Sequence, residues 1–237
     1  MYLSQNQIIV KTTRFQGPAG LCQTQVRCTF DEFPEQETGL KVEYMKRIAI
    51  FASGSGTNAQ NIIEHFAGNP EVEVSLVLTN NEHAYVLKRA AALKVPAYVF
   101  NRELFYETGR VHDILRDIGI DLIVLAGFLW LVPRNILDTW NGRIINIHPA
   151  LLPKFGGKGM YGDRVHQAVI EAGEKETGIT IHYVNEVYDE GEIIFQEKFP
   201  VLRGDTPETI AEKVHMLEYE HYPRVIGQLL SLPGNQQ

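Results

Sequence analysis

The chain has 237 residues, 44% of them hydrophobic and 22% charged, with a formal net charge of −7. That length suits one α/β domain with some residues to spare, and the acidic balance argues against a broad nucleic-acid-binding surface. No uninterrupted apolar run is long enough to span a membrane and no secretory leader is visible, so a cytoplasmic location is the expectation.

The only cysteines, Cys22 and Cys28, both precede Met45. Neither a disulfide framework nor a cysteine metal site is therefore expected in the main domain. Residues 1–44 mix Gln, Thr, Gly and Pro with scattered charge, and Gly17-Pro18 and Phe33-Pro34 interrupt any element. Met45-Lys46-Arg47 then runs straight into the apolar Ile48-Ala49-Ile50-Phe51. The expectation is an N-terminal extension over 1–44, poorly ordered or a mis-called start, and a functional domain over 45–237.

From Lys46 the pattern alternates. Ile48–Ala52 predicts a buried strand, Ser53–Asn58 a tight turn and Asn58–Phe66 a helix. Strands follow at Val72–Thr79, Pro96–Phe100, Asp121–Ala126 and Arg143–His148. Helices are expected at Tyr85–Leu93, Glu103–Ile118 (with Gly109 as a weak point) and Asn135–Trp140. Near-continuous apolar strands separated by helices imply a mostly parallel sheet covered on both faces, an α/β fold with a Rossmann-like N-terminal half. Pro149–Asp163 reads as a long Gly-rich loop and Arg164–Ala172 as a helix. Gly178–Val184 and Glu192–Phe199 flank the turn Tyr188–Gly191 and predict an antiparallel extension near the C-terminus. Thr206-Pro207 opens the last helix, with a capping residue before a proline at the first helical position.

Two stretches carry chemistry. In Ile144-Ile145-Asn146-Ile147-His148-Pro149, strand alternation puts Asn146 and His148 on one face and Ile145 and Ile147 on the other. An amide that can donate to an oxyanion beside an imidazole that can move a proton suits acyl-type transfer; a strand end whose polar groups only cap nearby backbone is the alternative. Gly54 and Gly56 lie between a first strand and a helix, where free N–H groups can face an anion. No acid ends the second strand to hold a dinucleotide ribose, and no Lys follows Gly56 as a triphosphate loop requires. A phosphomonoester is the better ligand, and an unliganded glycine turn the alternative.

Taken together, Ser53-Gly54-Ser55-Gly56-Thr57-Asn58, Leu125-Ala126-Gly127-Phe128, Asn146-Ile147-His148-Pro149 with Leu151-Leu152-Pro153, His182 and Asp189-Glu190-Gly191 resemble the phosphoribosylglycinamide formyltransferase family in order and approximate spacing. The resemblance covers Lys46 to about Leu230. It implies a single formyltransferase-type domain in purine biosynthesis, acting as monomer or homodimer on small molecules, with no membrane or nucleic-acid partner. It implies 10-formyltetrahydrofolate as co-substrate, the amine of N1-(5-phosphoribosyl)glycinamide as acceptor, and no metal. Asn146 would stabilise the oxyanion, His148 would be the general acid, and Asp189 would orient His148 and raise its pKa. Gly56, Thr57, Asn58 and Glu218 would bind the phosphoribosyl substrate. Leu129, Trp130, Leu131, Val132, Asn146 and Arg102 would face folate, although Leu129-Trp130 stands where the family commonly has Met-Arg.

Other readings stay in play. A formyltetrahydrofolate hydrolase or another folate-dependent amine formyltransferase would share the Asn-His-Asp set, and a dinucleotide-binding oxidoreductase or nucleotide-sensing module would share the glycine turn. His182 is either near His148 or a satisfied core histidine. His65, His83, His112, His166, His215 and His221 read as helix-surface or capping residues. The glycines of 154–163 suggest either a mobile cover or an exposed linker.

Overall fold

Four strands of almost unbroken apolar sequence need cover on both faces, and the fold supplies it. The structure, a computed structural model, describes residues 44–231; the proposed extension, Tyr44 apart, lies outside the described residues. Strands β1 (Lys46–Phe51), β2 (Val72–Thr79), β3 (Ala97–Val99), β4 (Leu122–Leu125), β5 (Ile144–His148), β6 (Glu176–Tyr183) and β7 (Ile193–Pro200) form one sheet in the order β3-β2-β1-β4-β5-β6-β7. The first five run parallel, and β6 and β7 join antiparallel, as the turn at Tyr188–Gly191 leads one to expect.

On one face lie α1 (Thr57–His65), α2 (Val86–Ala92) and α6 (Pro207–Ser231), burying Ile62, Ala90, Ile210 and Val214 against Ile48, Val124, Ile145 and Ile147. The other face carries α3 (Arg110–Ile118) and α4 (Arg134–Thr139), whose Leu115 and Ile136 pack on Phe51, Ile123 and Ile144. Helix α5 (Asp163–Glu171) follows the Gly-rich loop and its Val165 and Val169 are buried.

One expectation needs correction. The helix expected over Glu103–Ile118 is broken into a π-helical turn, Glu103–Glu107, and α3. Gly109 is the reason: it takes φ 68° and ends the turn, a conformation a side chain would resist. The last helix runs unbroken through Pro223. Proline has no N–H to offer the carbonyl four residues back, and Asn61 Nδ2 donates to that Tyr219 carbonyl at 2.9 Å. The N-terminus of α6 is capped as expected: Thr209 N–H donates to Thr206 Oγ1 at 3.3 Å, and Thr206 N–H to Thr209 Oγ1 at 2.9 Å.

The chain order places the site. After β1 the chain moves outward to β2 and β3, then returns to place β4 on the other side of β1. The crevice at this reversal, beyond the carboxyl ends of β1 and β4, is where open α/β sheets take ligands.

Candidate active site

A cavity of about 580 Å³ occupies that crevice. One end is built by the turn after β1. Gly56 has φ 73°, and a Cβ on it would collide with the Val86 side chain, so glycine is needed for both turn and packing. Helix α1 starts there, at the cavity wall, with no side-chain cap and no acid in its first turn, a setting that can accept an anion. The Asn58 amide is already oriented: its Nδ2 donates to Glu218 at 2.9 Å, and its Oδ1 is buried without a partner. The family resemblance implies that Asn58 binds the phosphoribosyl substrate. The structure turns its donor to Glu218 and leaves an acceptor free.

The middle of the cavity is the end of β5. Ile145 and Ile147 sit in the core under α6, while Asn146 and His148 line the cavity. Antiparallel pairing sets His182 directly opposite Asn146 and Thr180 opposite His148. His182 Nδ1–H donates to the Tyr183 carbonyl at 2.7 Å, which leaves Nε2 to accept from Asn146 Nδ2 at 3.1 Å. The second N–H of Asn146 remains for a ligand. His182 is therefore neither idle core nor a partner of His148 alone. It also lies 3.7 Å from Asp189.

His148 is 3% exposed. Its Nε2 donates to the Phe155 carbonyl at 2.8 Å, and its Nδ1 lies 3.5 Å from Asp189 Oδ2. Burial pulls the His148 pKa below the ordinary imidazole value, although Asp189 and the Phe155 carbonyl both work upward. Asp189 therefore acts on His148 in the expected direction but does not win in the ligand-free site. Burial also works to raise Asp189; His182, His148 and the Gly157 N–H outweigh it, so the carboxyl stays below its usual range and ionised at neutral pH.

The other end is apolar. Phe128 and Val132 are buried, Trp130 is partly exposed and Leu129 is open to solvent. Tyr106 Oη donates to the Leu131 carbonyl at 2.9 Å and Tyr188 Oη to that of Leu129 at 3.4 Å, which fixes the run's backbone. Arg102 does not line the cavity. Its guanidinium stacks over Trp130 at 4.7 Å and over Tyr106 at 5.9 Å, at the rim.

Two histidines assigned to helix surfaces in fact line the cavity. His166 on α5 is 2% exposed, with Nδ1 unpartnered, and burial lowers its pKa. His215 on α6 donates to Glu218 at 2.9 Å, and that bond raises its pKa. Glu218 sits three residues after His215, a spacing that hints at the pair; nothing in the sequence marks His166. His221 is buried too, accepting from Arg224 at 2.9 Å. Among the described residues no three His, Cys, Asp or Glu side chains converge as metal ligands do.

A profile of the family described as formyl transferase matches residues 46–226. A phosphoribosylglycinamide formyltransferase of Bacillus subtilis is 40% identical over 79% of this chain and 96% of its own. The chloroplastic enzyme of that name from Arabidopsis thaliana is also 40% identical, over 78% of this chain and 65% of its own length. The crystal structure of phosphoribosylglycinamide formyltransferase from Bacillus halodurans superposes with a TM-score of 0.71 at 40% identity, covering 81% of this chain and 98% of that one. With the sheet order, the Asn-His-Asp cluster and these likenesses in agreement, the chain belongs to the phosphoribosylglycinamide formyltransferase family.

Proposed function

We propose that the chain transfers the formyl group of 10-formyltetrahydrofolate to the amine of N1-(5-phosphoribosyl)glycinamide, with Asn146, His148 and Asp189 at the reacting centre. The observation that carries this reading is the position of those three side chains between an uncapped helix start and an apolar slot within one cavity. The substrate phosphate meets the N–H groups of Gly56, Thr57 and Asn58. The ribose hydroxyls meet Glu218 and the free Oδ1 of Asn58. The pterin enters the slot along Leu129, Trp130, Leu131 and Val132, and Arg102 on the rim faces the acidic tail.

The amine nitrogen attacks the formyl carbon, whose oxygen gathers charge. The Asn146 N–H that His182 leaves free donates to this oxyanion. Collapse breaks the bond from the formyl carbon to the folate nitrogen. The amine gives up one proton and the folate nitrogen takes one, so only proton transfer is needed besides the acyl step. Because Nε2 of His148 is bound to a carbonyl, which cannot donate, Nδ1 is the atom that delivers the proton. Asp189 beside it stabilises the imidazolium.

The test is a formyl-transfer assay with both substrates on the intact chain, His148→Ala and Asn146→Ala. Each variant is expected to lose about 10²- to 10⁴-fold in kcat. Near-native turnover in both would remove the residues from their roles. Formate release with no acceptor present and no transfer by the intact chain would point to hydrolysis instead.

A further inference from the structure

The segment after Pro153 returns to the reacting centre through its backbone. The Phe155 carbonyl accepts from His148 Nε2 at 2.8 Å. Two residues later, Gly157 N–H donates at 2.8 Å to Asp189 Oδ2, the oxygen that faces His148 Nδ1. We propose that Phe155–Gly157 is a backbone clamp that positions the His148–Asp189 pair, holding the imidazole with its proton on Nε2 and leaving Nδ1 as the atom that titrates. Its kinetic test rests on the formyl-transfer reading; its tautomer test does not.

The geometry at three residues fits a segment held for this purpose. Phe155 has φ 57° and Asp189 φ 58°, both left-handed conformations uncommon for residues with side chains. Such conformations persist where the surroundings hold them, and here each of the two residues takes part in one of the two hydrogen bonds between the segment and the pair. Gly156, between the two hydrogen-bonding residues, cannot carry a side chain without movement. A Cβ there would lie 2.7 Å from Leu152 Cδ2 and 3.1 Å from Asp189 Cβ. The sheet braces the approach. Leu152 N–H donates to Thr180 Oγ1 at 3.0 Å, and Gln196 Nε2 donates to the Leu152 carbonyl at 3.0 Å. Thr180 is the register partner of His148, so strand and segment are fixed to the same point.

The clamp acts on proton transfer in two ways. A carbonyl accepts from imidazolium and from the Nε2–H form of neutral imidazole, but not from the Nδ1–H form, so it selects one tautomer. It also favours the charged ring, in company with Asp189 and Glu218 and against burial and His182. Loss of the clamp therefore lowers the His148 pKa further and frees the ring to rotate.

Gly156→Ala tests this. Its kcat is expected to fall about 10- to 100-fold, with KM for both substrates within about twofold. The alkaline limb of its pH–rate profile should move to lower pH. An unchanged kcat and limb would overturn the proposal. So would a raised KM with an unmoved limb, which would make the segment a cover over the substrates. Nitrogen NMR of the His148 ring in the intact chain gives a reading free of any folding defect in the variant. Neutral imidazole protonated on Nε2 is expected, and an Nδ1–H tautomer would overturn the clamp. If the intact chain fails to transfer formyl groups at all, the functional reading falls while the NMR result still decides the clamp.

Discussion

At the scale of single residues, burial acts on the cavity's histidines with opposite outcomes. His166 and His148 have pKa values below the ordinary value because burial dominates, whereas His215 is raised because Glu218 holds its N–H. The unfolded chain binds a proton at each near pH 6.5. A depressed folded pKa gives stability that is present above that pH and is lost as pH falls toward the folded value. A raised one gives stability that is present below about pH 6.5 and is lost as pH rises through the folded value. His166→Gln should therefore flatten the loss of Tm between about pH 7.5 and 5.5, and His215→Gln should steepen it. Thermal unfolding across that range checks both, and curves parallel to the native one would show that neither group titrates as its surroundings dictate. These two histidines were also the least legible residues. A helical period tells which residues share a face, not which face meets a cavity, and α5 turns its His166 face inward. That Asn146, His148 and Asp189 meet at one cavity was legible, because motif and order carried them. The sequence had no means of showing that Asn58 gives its donor to Glu218.

The same substrate reading has a kinetic consequence at His148. Burial lowers its pKa in the ligand-free site. A bound phosphate adds negative charge to the complex, which favours imidazolium. The limb assigned to His148 should therefore lie at higher pH in kcat, which reports the complex, than in kcat/KM, which reports the free enzyme. Activity falls on the alkaline side of each limb because the general acid has lost its proton. Coincident limbs in the native chain, with both absent from a slowly reacting His148→Ala, would show that substrate charge does not reach the imidazole.

At the scale of elements, β5 does its work through its neighbours. β4 lies parallel on one side and β6 antiparallel on the other, which brings His182 to Asn146. The buried Tyr222 of α6 donates to the Leu125 carbonyl at 3.0 Å and approaches the Ile145 carbonyl at 3.3 Å. This one hydroxyl ties the helix that carries Glu218 to the strand ends that carry the reacting groups. Tyr222→Phe should cost about 1–2 kcal/mol, since it leaves buried carbonyls short of a donor. Urea unfolding measures it, and a change below about 0.5 kcal/mol would mean that another group replaces the hydroxyl. The strands were legible from sequence because both faces of a parallel sheet are buried and leave an apolar run. The support of α6 was less so. Pro223 costs the helix one hydrogen bond, and the contact that compensates it comes from Asn61 on α1, more than a hundred and fifty residues earlier in the chain.

At the scale of the whole molecule, the domain's first strand is secured by partners inside the domain. Lys46 N–H donates to the Glu71 carbonyl at 2.6 Å, and Arg47 N–H to Asp121 Oδ2 at 2.8 Å. The Arg47 guanidinium caps the end of α3 by donating to the Ile118 carbonyl at 2.6 Å. Tyr44 adds its ring beside Lys46 Nζ at 5.5 Å, an exposed cation–π contact of about 0.5–1 kcal/mol. The family profile likewise begins at residue 46. Among the described residues, a chain starting at Met45 forfeits that one contact and none of the cavity's lining. For a domain of this size 1 kcal/mol corresponds to about 2–4 °C, so its Tm should fall by no more than about 4 °C. Its kcat and KM should match the full chain within about twofold, because no group in the proposed reaction lies before Gly54. A larger loss of Tm would assign a stabilising role to residues 1–44. A selective rise in KM at unchanged Tm would bring those residues to the substrates, and measuring both quantities on the same preparation separates the two outcomes.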